Sequence, residues 1–115
     1  MYMYKKLLTV ILLISCFNMM PLHAQNVTTQ TLLIDVRTPQ EYAQEHLVGA
    51  INIEYQDIVA GVKAMAPDVQ TPVALYCRSG ARAATAQRAL REAGYVDVNN
   101  LGGLEEIKRA GVPVE

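Results

Sequence analysis

From position 32 onward the chain repeats one local pattern, a short apolar run followed by a stretch with helical spacing, and this restricts the fold more than any other feature. Leu32-Leu33-Ile34 leads into Asp35, Ala50-Ile51-Asn52-Ile53 comes next, Val73-Ala74-Leu75-Tyr76 follows Pro72, and a fourth run covers residues 95–101. These runs lack the strict apolar and polar alternation of a strand with one wet face, so they predict strands covered on both sides. Helix signals fill the intervals. Thr38-Pro39-Gln40-Glu41 is a capping box with proline at the first helical position, predicting a short helix to about residue 45. Ile58, Val59, Val62, Met65 and Ala66 have helical spacing up to Pro67, and residues 81–93, rich in Ala, Arg, Gln and Leu, run to a stop at Gly94. Gly102-Gly103 predicts a turn before a last helix over residues 104–110, which Gly111 and Pro113 end. Strands alternating with helices predict a single α/β domain, a small parallel sheet with helices on both faces. Ligands of such sheets bind beyond the carboxyl ends of the strands, where Asp35 and Cys77 both fall.

Composition removes other classes. With 51% hydrophobic and 18% charged residues the chain is too apolar for a disordered one. Ten basic residues against eleven acidic, one Phe and no Trp provide neither the basic stripe nor the stacking platforms of a nucleic-acid binder. Two cysteines can build neither a disulfide scaffold nor a four-thiolate zinc site. At the N-terminus, Lys5-Lys6, an uncharged run over residues 7–17 and His23-Ala24 before Gln25 follow the order of a signal peptide. The expected division is a leader over residues 1–24, cleaved after Ala24, and a domain over residues 25–115. The run falls short of the roughly 20 apolar residues that a membrane span requires. Leu13-Ile14-Ser15-Cys16 offers a competing reading, a lipobox that would leave a lipid anchor on Cys16. Cleavage after Ala24 would leave Cys77 as the sole thiol of an exported domain, in a compartment where thiols usually pair.

The segment Cys77-Arg78-Ser79-Gly80-Ala81-Arg82 leaves a strand and opens a helix. Backbone amides of such a turn can curl around the sulfur while the helix N-terminus directs positive potential at it, which makes an anion cradle. That field, with Arg78 and Arg82 beside it, favours the nucleophilic thiolate form of Cys77. Gly80 supplies a backbone turn that a Cβ would obstruct. The arginines, serine and glycine around Cys77 are not core residues, which argues against a thiol that merely fills space. Asp35 at its strand end is expected to support the pocket by holding backbone amides or pairing with Arg37. His46 is expected to fix a turn by hydrogen bonding, since a thiolate in an amide cradle needs no base.

Four blocks of the chain, in order, resemble the rhodanese family, and in particular its small single-domain exported thiosulfate sulfurtransferases of phage-shock type. They are Ile34-Asp35-Val36-Arg37 with Pro39 and Glu41-Tyr42; Glu45-His46-Leu47-Val48-Gly49-Ala50-Ile51-Asn52-Ile53; the loop from Cys77 to Arg82; and Gly94-Tyr95 with Leu101-Gly102-Gly103. The resemblance implies that Cys77 takes the outer sulfur of thiosulfate, becomes a persulfide, releases sulfite and passes the sulfur to cyanide or a thiol. It implies binding of the donor by Arg78, Ser79, Gly80, Ala81 and Arg82 and no metal or organic cofactor, while the leader pattern, if cleaved, predicts a periplasmic location. A sulfur relay that passes sulfane sulfur to a protein acceptor, or a thiol-redox module, would use the same loop. Phosphatases of related architecture place one more residue between the Cys and the Arg, so the spacing from Cys77 to Arg82 favours sulfur over phosphate.

Overall fold

The computed structural model describes residues 30–115, so the leader expected over residues 1–24, whether cleaved after Ala24 or lipidated on Cys16, lies outside the described residues. The strands are β1 (Leu32–Asp35), β2 (Ile51–Asn52), β3 (Val73–Cys77) and β4 (Val98–Gly103). The helices are α1 (Pro39–Gln44), α2 (Ile58–Met65), α3 (Ala81–Glu92) and α4 (Leu104–Arg109), with a 3-10 turn at Tyr55–Asp57. All strand pairs are parallel, in the order β2-β1-β3-β4. The chain therefore winds outward from β1 to β2, then crosses back to β3 and on to β4. At that reversal the C-terminal ends of β1 and β3 lie side by side, Asp35 in register with Tyr76.

Side chains of the two central strands alternate between two cores, because successive residues of a strand point to opposite faces. Ile34, Val36, Val73, Leu75 and Cys77 pack with Ile58 and Val62 of α2 and with Ala83, Ala86 and Leu90 of α3. On the other face Tyr76 and Leu33 pack with Leu47, Ala50, Tyr42 and the α4 residues Leu104 and Ile107. Every residue of β3 is buried, as its unbroken apolar run requires. Among the described residues no helix is long and apolar enough to cross a membrane.

The capping box of α1 is formed: the Glu41 N–H donates to Thr38 Oγ1 at 3.2 Å and the Thr38 N–H donates to Glu41 Oε1 at 3.1 Å. The last strand departs from the sequence reading. Pairing with β3 starts only at residues 97–98, where the Val73 N–H donates to Asp97 O, and it extends through Gly102 and Gly103. Those two glycines end a strand instead of forming a turn. Tyr95, expected to begin that strand, instead follows Gly94, whose φ of 104° reverses the chain after α3. Its ring is buried in the first core and its hydroxyl donates to Ala66 O at 2.6 Å, tying the end of α2 to the end of α3. A second contact without local sequence signal is the C-terminal strap, in which Val114 bridges Leu47 and the backbones of His46 and Glu115 exchange two hydrogen bonds.

Replacing Tyr95 by Phe retains the packed ring and deletes one part-buried hydrogen bond. Tyr95→Phe is expected to lower unfolding free energy by about 1 kcal/mol in urea titration, with an unchanged midpoint contradicting the role given to the hydroxyl.

Candidate active site

Cys77 is the last residue of β3 and is fully buried. The chain then turns through Arg78, Ser79 and Gly80 into α3, and Gly80 takes a φ of 94° that disfavours any residue with a Cβ. From this turn the Gly80 N–H donates to Cys77 Sγ at 2.9 Å. It is the one loop amide within bonding distance of the sulfur among the described residues. Ala81 starts a helix of 12 residues at this point, so the positive end of α3 lies beside the sulfur.

The loop is backed by β4, and here the two strand-end glycines find their reason. A Cβ on Gly103 would overlap the carbonyl oxygen of Arg78 and stand 3.3 Å from Ser79 Cα, while Gly102 Cα lies 3.3 Å from where a Cβ of Gly80 would be. Asn100 completes the backing: its Nδ2 donates to Gly80 O at 2.9 Å and its Oδ1 accepts from the Gly102 N–H at 2.9 Å. Nothing local in the sequence distinguishes Asn100 from Asn99 beside it, and only strand register turns the former toward the loop.

The two loop arginines share one carboxylate. Arg82 makes a two-pronged contact with Glu41, at 2.8 Å to Oε1 and 3.1 Å to Oε2, and Arg78 Nε lies 3.4 Å from the same Oε2. The Arg82 hydrogen bonds hold the Glu41 carboxyl down at about 2, and Glu41 in turn raises the Arg82 guanidinium. Sequence reading assigned Glu41 only to the helix cap. Its position facing the loop depends on how α1 sits over β1 and β3, which no local pattern encodes.

Asp35 and Arg37 are both buried and form a forked pair, with Arg37 Nε 3.0 Å from Oδ1 and Nη2 2.7 Å from Oδ2. The Arg37 N–H also donates to Oδ1, and Nη2 donates onward to Glu45 O at 2.6 Å. Burial alone would lower the Arg37 guanidinium, but the Asp35 carboxylate outweighs it and the net direction is up. The guanidinium carbon lies 5.9 Å from the ring centroid of Tyr76, whose hydroxyl burial drives well above the usual phenol range. That hydroxyl accepts from the Leu47 N–H at 3.0 Å. His46 stacks on Tyr42 with ring centroids 3.7 Å apart, and its ring nitrogens meet Tyr42 O at 2.8 Å and Glu115 at 3.3 Å, a set of contacts that fixes the turn and the C-terminal strap. Beside the cysteine loop lies an open cavity of about 250 Å³, lined by Arg37, Arg78, Glu41, Gln44, Glu45, Leu104 and Glu105. Among the described residues, no three His, Cys, Asp or Glu side chains are grouped as a metal site would need.

A family profile described as Rhodanese-like domain matches residues 21–110. The chain belongs to the rhodanese-like domain family. It is similar to the thiosulfate sulfurtransferase PspE of Escherichia coli strain K12, 42% identical over 74 residues, which are 64% of this chain and 71% of that protein. The thiosulfate sulfurtransferase GlpE of Pseudomonas fluorescens strain SBW25 is 31% identical over 96 residues, covering 83% of this chain and 86% of that one. Among solved structures, a rhodanese with anions from E. coli superposes with a TM-score of 0.69 at 37% identity, covering 75% of this chain and 98% of the other. The rhodanese-like domain here thus has the expected fold, a parallel sheet with helices on both faces.

Because the Glu41 carboxyl is held at about 2 against an ordinary 4.5, chiefly by Arg82 and then by Thr38, these bonds stabilise the fold fully above about pH 4.5. That contribution disappears as pH falls through about 2. The stability difference between the wild type and Glu41→Gln is therefore expected to be constant from pH 7 to about 5 and to shrink with further acidification, measured by urea unfolding at each pH. A difference that stayed constant as pH fell below about 4.5 toward 2 would contradict the pairing.

Proposed function

We propose that this rhodanese-like domain is a sulfurtransferase enzyme that moves the outer sulfur of thiosulfate through a persulfide on Cys77. The observation that carries the reading is the Gly80 N–H on Cys77 Sγ at the head of α3, with Arg78 and Arg82 at the two ends of the same loop. The names of the relatives, thiosulfate sulfurtransferases, support the same donor.

In the first half-reaction the Cys77 sulfur, as thiolate, attacks the outer sulfur of thiosulfate. The new sulfur–sulfur bond forms as the old one breaks, and the electron pair of the broken bond leaves with sulfite. In the second, a thiophilic acceptor such as cyanide or a thiol attacks the outer sulfur of the persulfide and releases Cys77 as thiolate. Donor, intermediate and leaving group are all anionic, so an amide aimed at the sulfur, a helix N-terminus and two guanidinium groups stabilise each species along the path. No proton transfer is required, which leaves His46 free for its turn. The leader pattern at residues 1–24 supports export to the periplasm as the place of action.

Two displacements on one sulfur give ping-pong kinetics. Initial rates with thiosulfate and cyanide varied together are expected to give parallel double-reciprocal lines, and Cys77→Ala or Cys77→Ser to lower turnover by about a thousandfold or more. Intersecting lines, or substantial turnover in either variant, would overturn the mechanism.

A further inference from the structure

One carboxylate holds both ends of the catalytic loop, and the two displacements give it no task. Glu41 Oε1 accepts from the Thr38 N–H and hydroxyl and from Arg82, while Oε2 accepts from the other prong of Arg82 and faces Arg78 Nε. The two arginines it reaches are the first and last residues after Cys77 in the loop. Arg82 is largely covered, with its side chain 30% exposed, and a forked guanidinium–carboxylate contact fixes the plane of the group as well as its position. Arg78 is the opposite case: its side chain is 70% exposed, meets Glu41 through Nε at 3.4 Å and lines the cavity. An anion that enters the cavity therefore encounters a guanidinium already tethered to a negative charge.

We propose that Glu41 is a positioning residue of the sulfur-transfer site, a fixed counter-charge that orients Arg82 and tethers Arg78, and so moderates the pull of the loop on anions. The proposal rests on the reading of Cys77 as the sulfur-carrying nucleophile. Two consequences separate cleanly. Without the carboxylate the mouth gains one unit of positive charge, so anions are drawn to the loop more strongly. At the same time Arg82 loses the partner that sets its plane, so the bound donor is held less well for displacement and the product anion leaves more slowly.

The experiment uses Glu41→Gln, since glutamine also serves at this position of a capping box and α1 is retained while the charge is lost. Alkylation of Cys77 by iodoacetate, an anion, is compared with alkylation by neutral iodoacetamide, both read by intact mass. The neutral reagent corrects for how readily the buried sulfur is reached, and the ratio reports the field alone. Glu41→Gln is expected to raise the ratio about threefold or more at low ionic strength, with the rise flattened by salt. In turnover the same variant is expected to lower both KM for thiosulfate and kcat, the latter about tenfold. Glu41→Asp, which keeps the charge, is expected to retain the wild-type ratio, and Thr38→Ala, which removes the cap hydroxyl and its bond to Glu41 Oε1 but keeps the carboxylate charge and both arginines, to leave it unmoved. A ratio unchanged in Glu41→Gln, or a ratio that Thr38→Ala moves as far, would overturn the proposal. The ratio needs no sulfur transfer, so a wild-type protein inert toward thiosulfate would defeat the functional reading above and be seen separately from failure of this one.

Discussion

A carboxylate shut away from water is costly unless cations and amides surround it, and Asp35 meets that demand through Arg37, which gives it both its guanidinium and its backbone N–H. Much of the rim of the sheet is built on this pair. Arg37 also donates from Nη2 to Glu45 O at the end of α1, and Asn52 of β2 donates to the carbonyls of both Asp35 and Arg37. Tyr76, in register with Asp35 on β3, lies under the guanidinium and receives the Leu47 N–H. The ends of three strands and the seat of α1 are thereby fixed together. Because α1 carries Glu41, the placement of the cysteine loop depends on this pair at one remove.

From the other side the loop is fixed by absence of bulk. β4 approaches the loop backbone so closely that Gly103 has no room for a side chain against Arg78 O, and Asn100 holds Gly80 O from the same strand. The loop is thus gripped by charge from α1 and by close backbone packing from β4, with the sulfur at its floor. A segment held in this way can present an amide to the sulfur without reorganising when charge moves onto it, which is the condition for electrostatic stabilisation.

What the sequence disclosed and what it withheld divide along the range of the interactions. The unbroken runs ending at Asp35 and Tyr76, the capping box at Thr38 and the helix after Gly80 are local patterns, and each is found where it was read. The pairing of Asp35 with Arg37 was legible for the same reason, since the two stand two residues apart. Glu41 meeting Arg82, Asn100 meeting Gly80, and Leu47 meeting Val114 join residues far apart in the chain, and their positions follow from packing and register that no local spacing encodes. The misplaced start of β4 has a related cause. Tyr95 and Val96 read as strand by residue type, but the reversal at Gly94 directs Tyr95 into the core between helices and delays pairing until Val98.

The central claim is that Cys77 carries sulfur covalently between donor and acceptor. It is tested most directly by intact mass of the purified protein, recorded before thiosulfate, after thiosulfate, and again after cyanide. The expected result is a gain of one sulfur atom, about 32 Da, mapping to Cys77 and removed by cyanide, as required of a nucleophilic thiol that forms a covalent intermediate. A free Cys77 thiol that gains no mass with thiosulfate would contradict the account.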